Sequence, residues 1–244
     1  MRNISLIVSY DGTNYHGWQC QPDLITIQQT LQERIEKIIN HRIKLFAGAR
    51  TDSGVHAYGQ TVNYFTDNTI ELKRLVKGLN SLLPPDIRIM GAHEASEDFH
   101  SRYSAKSKIY VYSILNSVCS SPFYARYVWH ISYALNVPSM HRTIKGITGI
   151  YDFSAFKKKD TLHKSPIREI LKAGVTKRGD FIYVVIEGTG FLRYMVRNIV
   201  GTLALVGSGK LTENNFMEIL ESKDRENAGP TAPAKGLFLR RIKY

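Results

Sequence analysis

The segment Arg50-Thr51-Asp52-Ser53-Gly54-Val55-His56 gathers a carboxylate, a guanidinium, two hydroxyls and a glycine between two apolar stretches. Loops held by strands are where chains commonly carry functional residues. One reading is an Asx-type turn, in which Asp52 bonds its own backbone and Gly54 supplies a positive φ. The other is a carboxylate presented for acid, base or nucleophilic work. Residue types and spacing leave both open.

Other chemistry is poorly served. There is no Gly-x-Gly-x-x-Gly followed by a ribose-binding acid, which removes the simplest dinucleotide reading. Val206-Gly207-Ser208-Gly209-Lys210-Leu211 comes nearest to a phosphate loop, but it lacks the upstream glycine and has Leu211 where a magnesium-binding hydroxyl belongs. It reads as a helix C-cap followed by a turn. His16 and Cys20 lie four apart in a Gly- and Pro-bounded loop, and the eight histidines do not cluster at ligand spacing, so no metal is expected. Two cysteines, Cys20 and Cys119, allow neither a disulfide framework nor a four-thiolate zinc site, which fits a reducing compartment. The first residues lack the apolar run of a signal peptide, and no stretch approaches the roughly 20 apolar residues of a membrane span. A cytoplasmic protein without a cofactor is the expectation.

The elements that must position this loop follow from periodicity. Ile4 to Val8 is β-rich and stopped by Asp11-Gly12, a turn signal. Thr26 and Gln29 have capping-box spacing, and Ile27, Leu31, Ile35, Ile38 and Ile39 then recur at helical intervals. Lys44 to Ala47 leads as a strand into the loop, and Thr61 to Phe65 alternates as a strand after it. A second helix over Glu71 to Leu82 is ended by Pro84-Pro85. Strands are expected at Ile87 to Ala92 and Ser107 to Leu115. The Ser-rich stretch Asn116 to Pro122 reads as a junction or a long hairpin loop. Beyond it come a helix near Pro138 to Thr148, a hairpin over Glu169 to Glu187 turned at Lys177-Arg178-Gly179-Asp180, and a helix from about Phe191 to Val206. A short helix and a last strand close the chain. Both halves mix strands and helices, which predicts an α+β fold of two related subdomains, residues 1–106 and 107–244, forming a mainly antiparallel sheet flanked by helices with an active-site cleft between them.

Hydrophobic content of 43% and charged content of 22% predict a folded chain throughout. The balance of 33 Lys and Arg against 21 Asp and Glu leaves +12, which favours a polyanion held through its phosphates. Lys157-Lys158-Lys159 and Arg240-Arg241 are the clusters that could serve it, although a lysine run is commonly a solvated loop.

Several segments together carry a family likeness: Ala47 through Ala57, Tyr10-Asp11-Gly12, Gly17-Trp18-Gln19, Asn80 with Leu83-Pro84 and Asp86-Ile87, and Phe99 through Ala105. It continues through Lys108 to Tyr112, Asp152-Phe153 with Phe156, Phe191 with Met195 to Gly201, Thr231-Ala232-Pro233 and Gly236-Leu237. On these the chain resembles the tRNA pseudouridine synthase A family, over nearly its whole length and in family order. Ser53 stands where the family often has alanine, and Ala49 is an extra small residue near the usual Gly-Arg pair.

The resemblance implies an isomerase that breaks the N1–C1′ bond of uridine, turns the uracil over and joins C5 to the same carbon. No redox step, phosphate donor or group carrier is needed. It implies Asp52 as the catalytic carboxylate, a nucleophile at C1′ or a base at C2′, alternatives that the sequence leaves open. A buried carboxylate tends to hold its proton unless a cation lies within about 4 to 6 Å. The family supplies one at the position of Arg197. Reaching a uracil in a stem requires flipping it out, at a cost of a few kcal/mol. The resemblance implies that Tyr110 stacks on the target base, with Tyr112 on the same strand face, and Arg50 could fill the vacated space. It further implies action on the tRNA anticodon arm at positions 38 to 40, by a homodimer holding the tRNA across both subunits. A base glycosylase and a non-catalytic tRNA-binding protein are the rival readings.

Overall fold

The computed structural model describes residues 1–159 and 165–244. In chain order the elements are β1 (Arg2–Tyr10), α1 (Ile27–Ile39), β2 (Phe46–Ala47), β3 (His56–Thr66), α2 (Leu72–Leu82), β4 (Ile87–Ala95), β5 (Ser107–Asn116), β6 (Trp129–Ile131), α3 (Val137–Lys145), β7 (Gly149–Asp152), β8 (Ile167–Arg178), β9 (Phe181–Gly188), α4 (Met195–Gly207), α5 (Glu213–Ser222) and β10 (Leu237–Lys243). The class is α+β, with mostly antiparallel strand pairing, as the mixture of periodicities predicts. No helix among the described residues is long and apolar enough to cross a membrane.

Two compact units emerge, one of Met1–Lys106 with Phe238–Tyr244, the other of Ser107–Leu237. In the first, the strand order is β4-β1-β3-β10, with β2 also on β3. β1 is antiparallel to both β3 and β4, whereas β10 joins β3 in parallel through Phe238↔His56 and Leu239↔Ala57. The register of β1 on β3 shifts between Val8 and Tyr10, at the strand's exit into Asp11-Gly12. Ile4, Leu6, Val8 and Tyr10 alternate along β1 and are all buried, as period-two side chains facing a core must be.

α1 buries Ile27, Leu31, Ile35 and Ile39, one face at three- and four-residue spacing, and each such burial stabilises by about 1.5 to 3 kcal/mol. Thr26 caps it by accepting the N–H of Gln29, but the return half of a capping box is absent because the Gln29 amide donates to Glu33 instead. Asn40, at φ +58°, ends the helix in the left-handed region. Glu36 then fastens the following turn: Oε1 accepts from the Ile43 N–H at 3.0 Å and from Gln32 at 2.9 Å, and Oε2 from Arg42 at 3.0 Å. Desolvation pushes this carboxyl up, but the Ile43, Gln32 and Arg42 interactions outweigh it and hold its pKa below the usual carboxylate range. A depressed folded-state pKa contributes stability above the unfolded value and loses it as pH falls through the folded one. Glu36→Gln is therefore expected to destabilise near pH 7, with the difference from the parent closing as the pH falls below about 4. Denaturant midpoints measured across that range check this.

In the second unit the order is β5-β9-β8-β7, antiparallel throughout, with β6 parallel to β5. The hairpin turns as its sequence predicts, with Arg178 paired to Phe181 and Gly179 at φ +57° between them. α3 starts at Val137, capped by the Asn136 side chain, and packs on β8, where His141 Nδ1 lies 3.1 Å from the Val175 nitrogen. α4 begins at Met195, four residues after the sequence pattern does, because Tyr194 adopts φ +67°. At its other end Gly209 takes φ +76°, confirming a helix C-cap and turn rather than a phosphate loop.

Candidate active site

Asp52 sits in the loop between β2 and β3, where the backbone is tied at nearly every residue. The Gly48 N–H bonds the Thr61 carbonyl at 2.9 Å. The Gln60 side-chain amide clamps Ala49 from both sides, accepting its N–H at 3.1 Å and donating to its carbonyl at 2.7 Å. The Thr51 hydroxyl meets that of Tyr10 at 2.8 Å, and the Thr51 carbonyl accepts the Trp18 N–H at 3.1 Å. Burial pushes the Tyr10 phenol far above its ordinary pKa, more than its Thr51 and Gln60 bonds lower it. Ser53 Oγ and the Gly54 N–H both bond the Tyr15 carbonyl. The turn closes through Val55 N–H to Asp52 carbonyl at 3.1 Å, with Gly54 at φ +74°. Thus the positive φ expected of Gly54 is present, in a turn closed by the Asp52 main chain. Asp52 itself is partly exposed, and Arg50 projects to the surface between two buried residues.

A second loop, Tyr10 to Trp18, backs the first one closely. A Cβ on Gly12 would lie 2.1 Å from the Val55 carbonyl oxygen, and one on Gly17, at φ +89°, would lie 2.8 Å from that of Thr51. The Gly17 and Trp18 carbonyls also accept the N–H groups of Ile27 and Gln28, donors that the first turn of α1 cannot satisfy internally. The helix, the Gly17-Trp18 pair and the Asp52 loop therefore form one hydrogen-bonded chain. His56 completes the backing. Buried at the start of β3, its Nδ1 lies 3.1 Å from the Gly12 nitrogen and 3.0 Å from Asp11 Oδ1. Its ring stacks on Phe238 at 4.7 Å between centroids. On the far side Tyr15 donates to Asp86 at 2.7 Å, tying the Asp86 of the likeness to the same loop.

Tyr110 and Arg197 lie in the second unit. On β5, Tyr110 pairs with Ile186 and Tyr112 with Val184, so the two tyrosines do share a face. Tyr110 is buried, with its ring edge-on to Phe191 at 5.0 Å. Tyr112 is fixed by its hydroxyl to the Pro233 carbonyl at 2.7 Å. Arg197 occupies the first turn of α4. Its Nε donates to the Ala232 carbonyl at 2.8 Å while its own carbonyl accepts the Ala232 N–H, and its guanidinium lies 4.8 Å from the Tyr194 ring centre. Arg197 is half-buried, and its neighbours from Met195 to Gly201 are all buried.

Asn198 holds the frame behind Arg197. Fully buried, it donates to the Phe156 carbonyl at 2.8 Å and accepts from Thr231 at 2.6 Å and Arg225 at 3.3 Å. Asn198→Ala would leave those groups without this partner and is expected to cost about 2 to 4 kcal/mol, a fall of roughly 4 to 16 °C in melting temperature for a chain of this size. Thermal unfolding followed by circular dichroism checks it.

Among the basic clusters, Lys159 bonds Glu226 at 2.6 Å and Lys158 lies over the Tyr194 ring at 5.6 Å, whereas Arg240 and Arg241 are exposed on β10. Structure thus sets Asp52 and Arg50 on one loop of the first unit, and Tyr110 and Arg197 on β5 and α4 of the second. The supporting roles of His56, Gln60 and Asn198 escape sequence reasoning. A histidine and two amides read as ordinary polar residues until their burial is known.

A sequence profile described as tRNA pseudouridine synthase matches residues 6–104 and 144–244. Proteins named tRNA pseudouridine synthase A from Thermoanaerobacter pseudethanolicus, Acetivibrio thermocellus and Geotalea daltonii are 46%, 42% and 42% identical to the chain, each over 244 residues and the full length of both partners. The matched residues include the whole Asp52 loop, both backing glycines and the first turn of α4. The chain belongs to the tRNA pseudouridine synthase family.

Proposed function

We propose that this protein isomerises uridine to pseudouridine in tRNA, at positions 38 to 40 of the anticodon arm, as a cytoplasmic homodimer. The observation that carries the reading is the full-length identity of 46% to a protein named for that reaction, joined to a carboxylate-bearing loop whose main chain is bonded from three directions. Asp52 serves as the nucleophile, its carboxylate oxygen bonding C1′ as the N1–C1′ bond breaks. After the uracil turns over, C5 bonds C1′ as the Asp52–C1′ bond breaks and the carboxylate is released; then C5 loses its proton and N1 gains one. Tyr110 stacks on the flipped uracil, Arg197 supplies the cation that keeps the carboxylate ionised, and Arg50 fills the space left in the stem. What supports Arg197 in that role is its fixed first-turn position, since a guanidinium held through Nε keeps its two terminal nitrogens pointing one way.

Unmodified tRNA transcripts incubated with the protein, then mapped by carbodiimide-blocked primer extension, report reaction and position together. Stops confined to 38–40 are the expected result. Stops elsewhere overturn the positional assignment, and free uracil in place of pseudouridine marks a glycosylase.

A further inference from the structure

On the first unit, where β2 meets the segment His100 to Tyr103, three rings lie near the surface. Phe46 and His100 have centroids 4.6 Å apart, and His100 and Tyr103 4.4 Å. A cation stands at each end: Lys44 Nζ is 5.3 Å from the Phe46 centroid and the Arg102 guanidinium 5.7 Å from that of Tyr103. Tyr103 is 77% exposed.

The exposure does not come from a loose loop. The Asn3 amide donates to the Ser96 and Phe99 carbonyls, Asn63 Oδ1 accepts the Ser101 N–H, and the Tyr244 hydroxyl donates to the Ser101 carbonyl, at 2.8 to 2.9 Å. His100 is locked in turn: its Nδ1 accepts the N–H groups of Arg102 at 3.1 Å and Tyr103 at 3.4 Å, which requires the lone pair of an uncharged ring. Burial first, then the charges of Arg102 and Lys44, lower its pKa against the raising effect of its backbone bond. Among the described residues, no carboxylate lies within ion-pairing distance of Lys44 or Arg102, whereas Arg2, Arg42 and Arg142 are all paired. The rings are tilted by 50° and 41° to one another, and an exposed aromatic face held between two cations that lack a carboxylate partner matches what a nucleotide offers, a π-face and a phosphate.

Resting on the reading of this protein as a tRNA-modifying enzyme, we propose that the Phe46-His100-Tyr103 cluster is a second RNA-binding surface, where an unpaired base of the bound RNA stacks on Tyr103 and adjoining phosphates meet Arg102 and Lys44. It holds the RNA and is remote in function from bond breaking.

The test uses the full chain and an unmodified tRNA transcript. Tyr103→Ala is expected to raise Kd and KM about tenfold, the typical loss for one stacked base, with kcat unchanged and Tyr103→Phe close to wild type. Replacing Lys44 and Arg102 by Ala should flatten the salt dependence of log Kd by about 0.7 for each single-strand phosphate that is no longer neutralised. Ultraviolet crosslinking followed by mass spectrometry should place a nucleotide adduct on Tyr103. Wild-type turnover keeps two failures apart. If wild type makes no pseudouridine, the functional reading falls; if it does and Tyr103→Ala binds and reacts normally, the platform alone falls. Adducts to another protein at Tyr103, with RNA affinity unchanged, would also overturn it.

Discussion

Asp52→Asn is expected to reduce pseudouridine formation by about 10⁴-fold or more, the scale seen when a group that bonds or relays a proton at the reacting carbon is removed. The substitution isolates the charge. It is the Asp52 main-chain carbonyl that closes the turn to Val55, and asparagine is at home in such turns, so the loop should keep its path. tRNA affinity should change by less than about threefold and melting temperature by about 1 °C, as for a surface substitution outside the core. Asp52→Glu separates position from charge: it keeps the carboxylate but displaces it by about 1 Å, which should cost about a hundredfold. Single-turnover rates on a tRNA transcript, with binding measured separately, give all three values. Normal turnover by Asp52→Asn would eliminate the carboxylate mechanism and leave the isomerase reading to rest on some other residue.

How much of this was legible in sequence depends on the distance over which each feature is encoded. α1 was legible in nearly full detail because Ile27, Leu31, Ile35 and Ile39 record one buried face within thirteen residues. β3 was legible only from Thr61, although it begins at His56; its first half carries Tyr58-Gly59-Gln60, whose alternation is masked because Gln60 is buried to serve Ala49. The parallel addition of β10 to β3 was not legible, since no local pattern specifies a partner some 180 positions away. β6 and β7 were missed for another reason, being three and four residues long, too short to show a period.

The candidate site divides the same way. Residue types alone left Asp52 undecided between turn and catalyst, and family likeness supplied its role. What coordinates add is the backing: Gly12, Gly17, His56 and Gln60 shape the loop through main-chain bonds and missing side chains, neither of which leaves a chemical signature in sequence. Gly12 reads as half of an Asp-Gly turn signal, yet it has no positive φ. Its requirement is room.

Gly12→Ala should therefore separate catalysis from stability. The added Cβ would fall 2.1 Å from the Val55 carbonyl oxygen and 2.8 Å from its carbon, both main-chain atoms that no rotamer change can move aside. Relief to 3.0 Å, the closest approach real Cβ atoms make, demands about 0.9 Å of backbone movement (3.0 − 2.1). Val55 is the residue whose N–H closes the Asp52 turn, so that displacement passes into the carboxylate. Overpacking of this kind costs about 1 to 3 kcal/mol of stability, which leaves the fold intact, whereas misplacing a reacting group by 1 Å costs about a hundredfold in rate. The expected outcome is a folded protein that binds tRNA with little loss and turns it over about 10²-fold more slowly. Gly91→Ala on β4 is the matched control, because a Cβ there meets no heavy atom within 4 Å; it should leave rate and stability close to the parent. If Gly12→Ala instead lost stability and kept its single-turnover rate, the close packing of the two loops would be scaffold only, and the placement of Asp52 would have to be credited to the Gln60 and Tyr10 bonds.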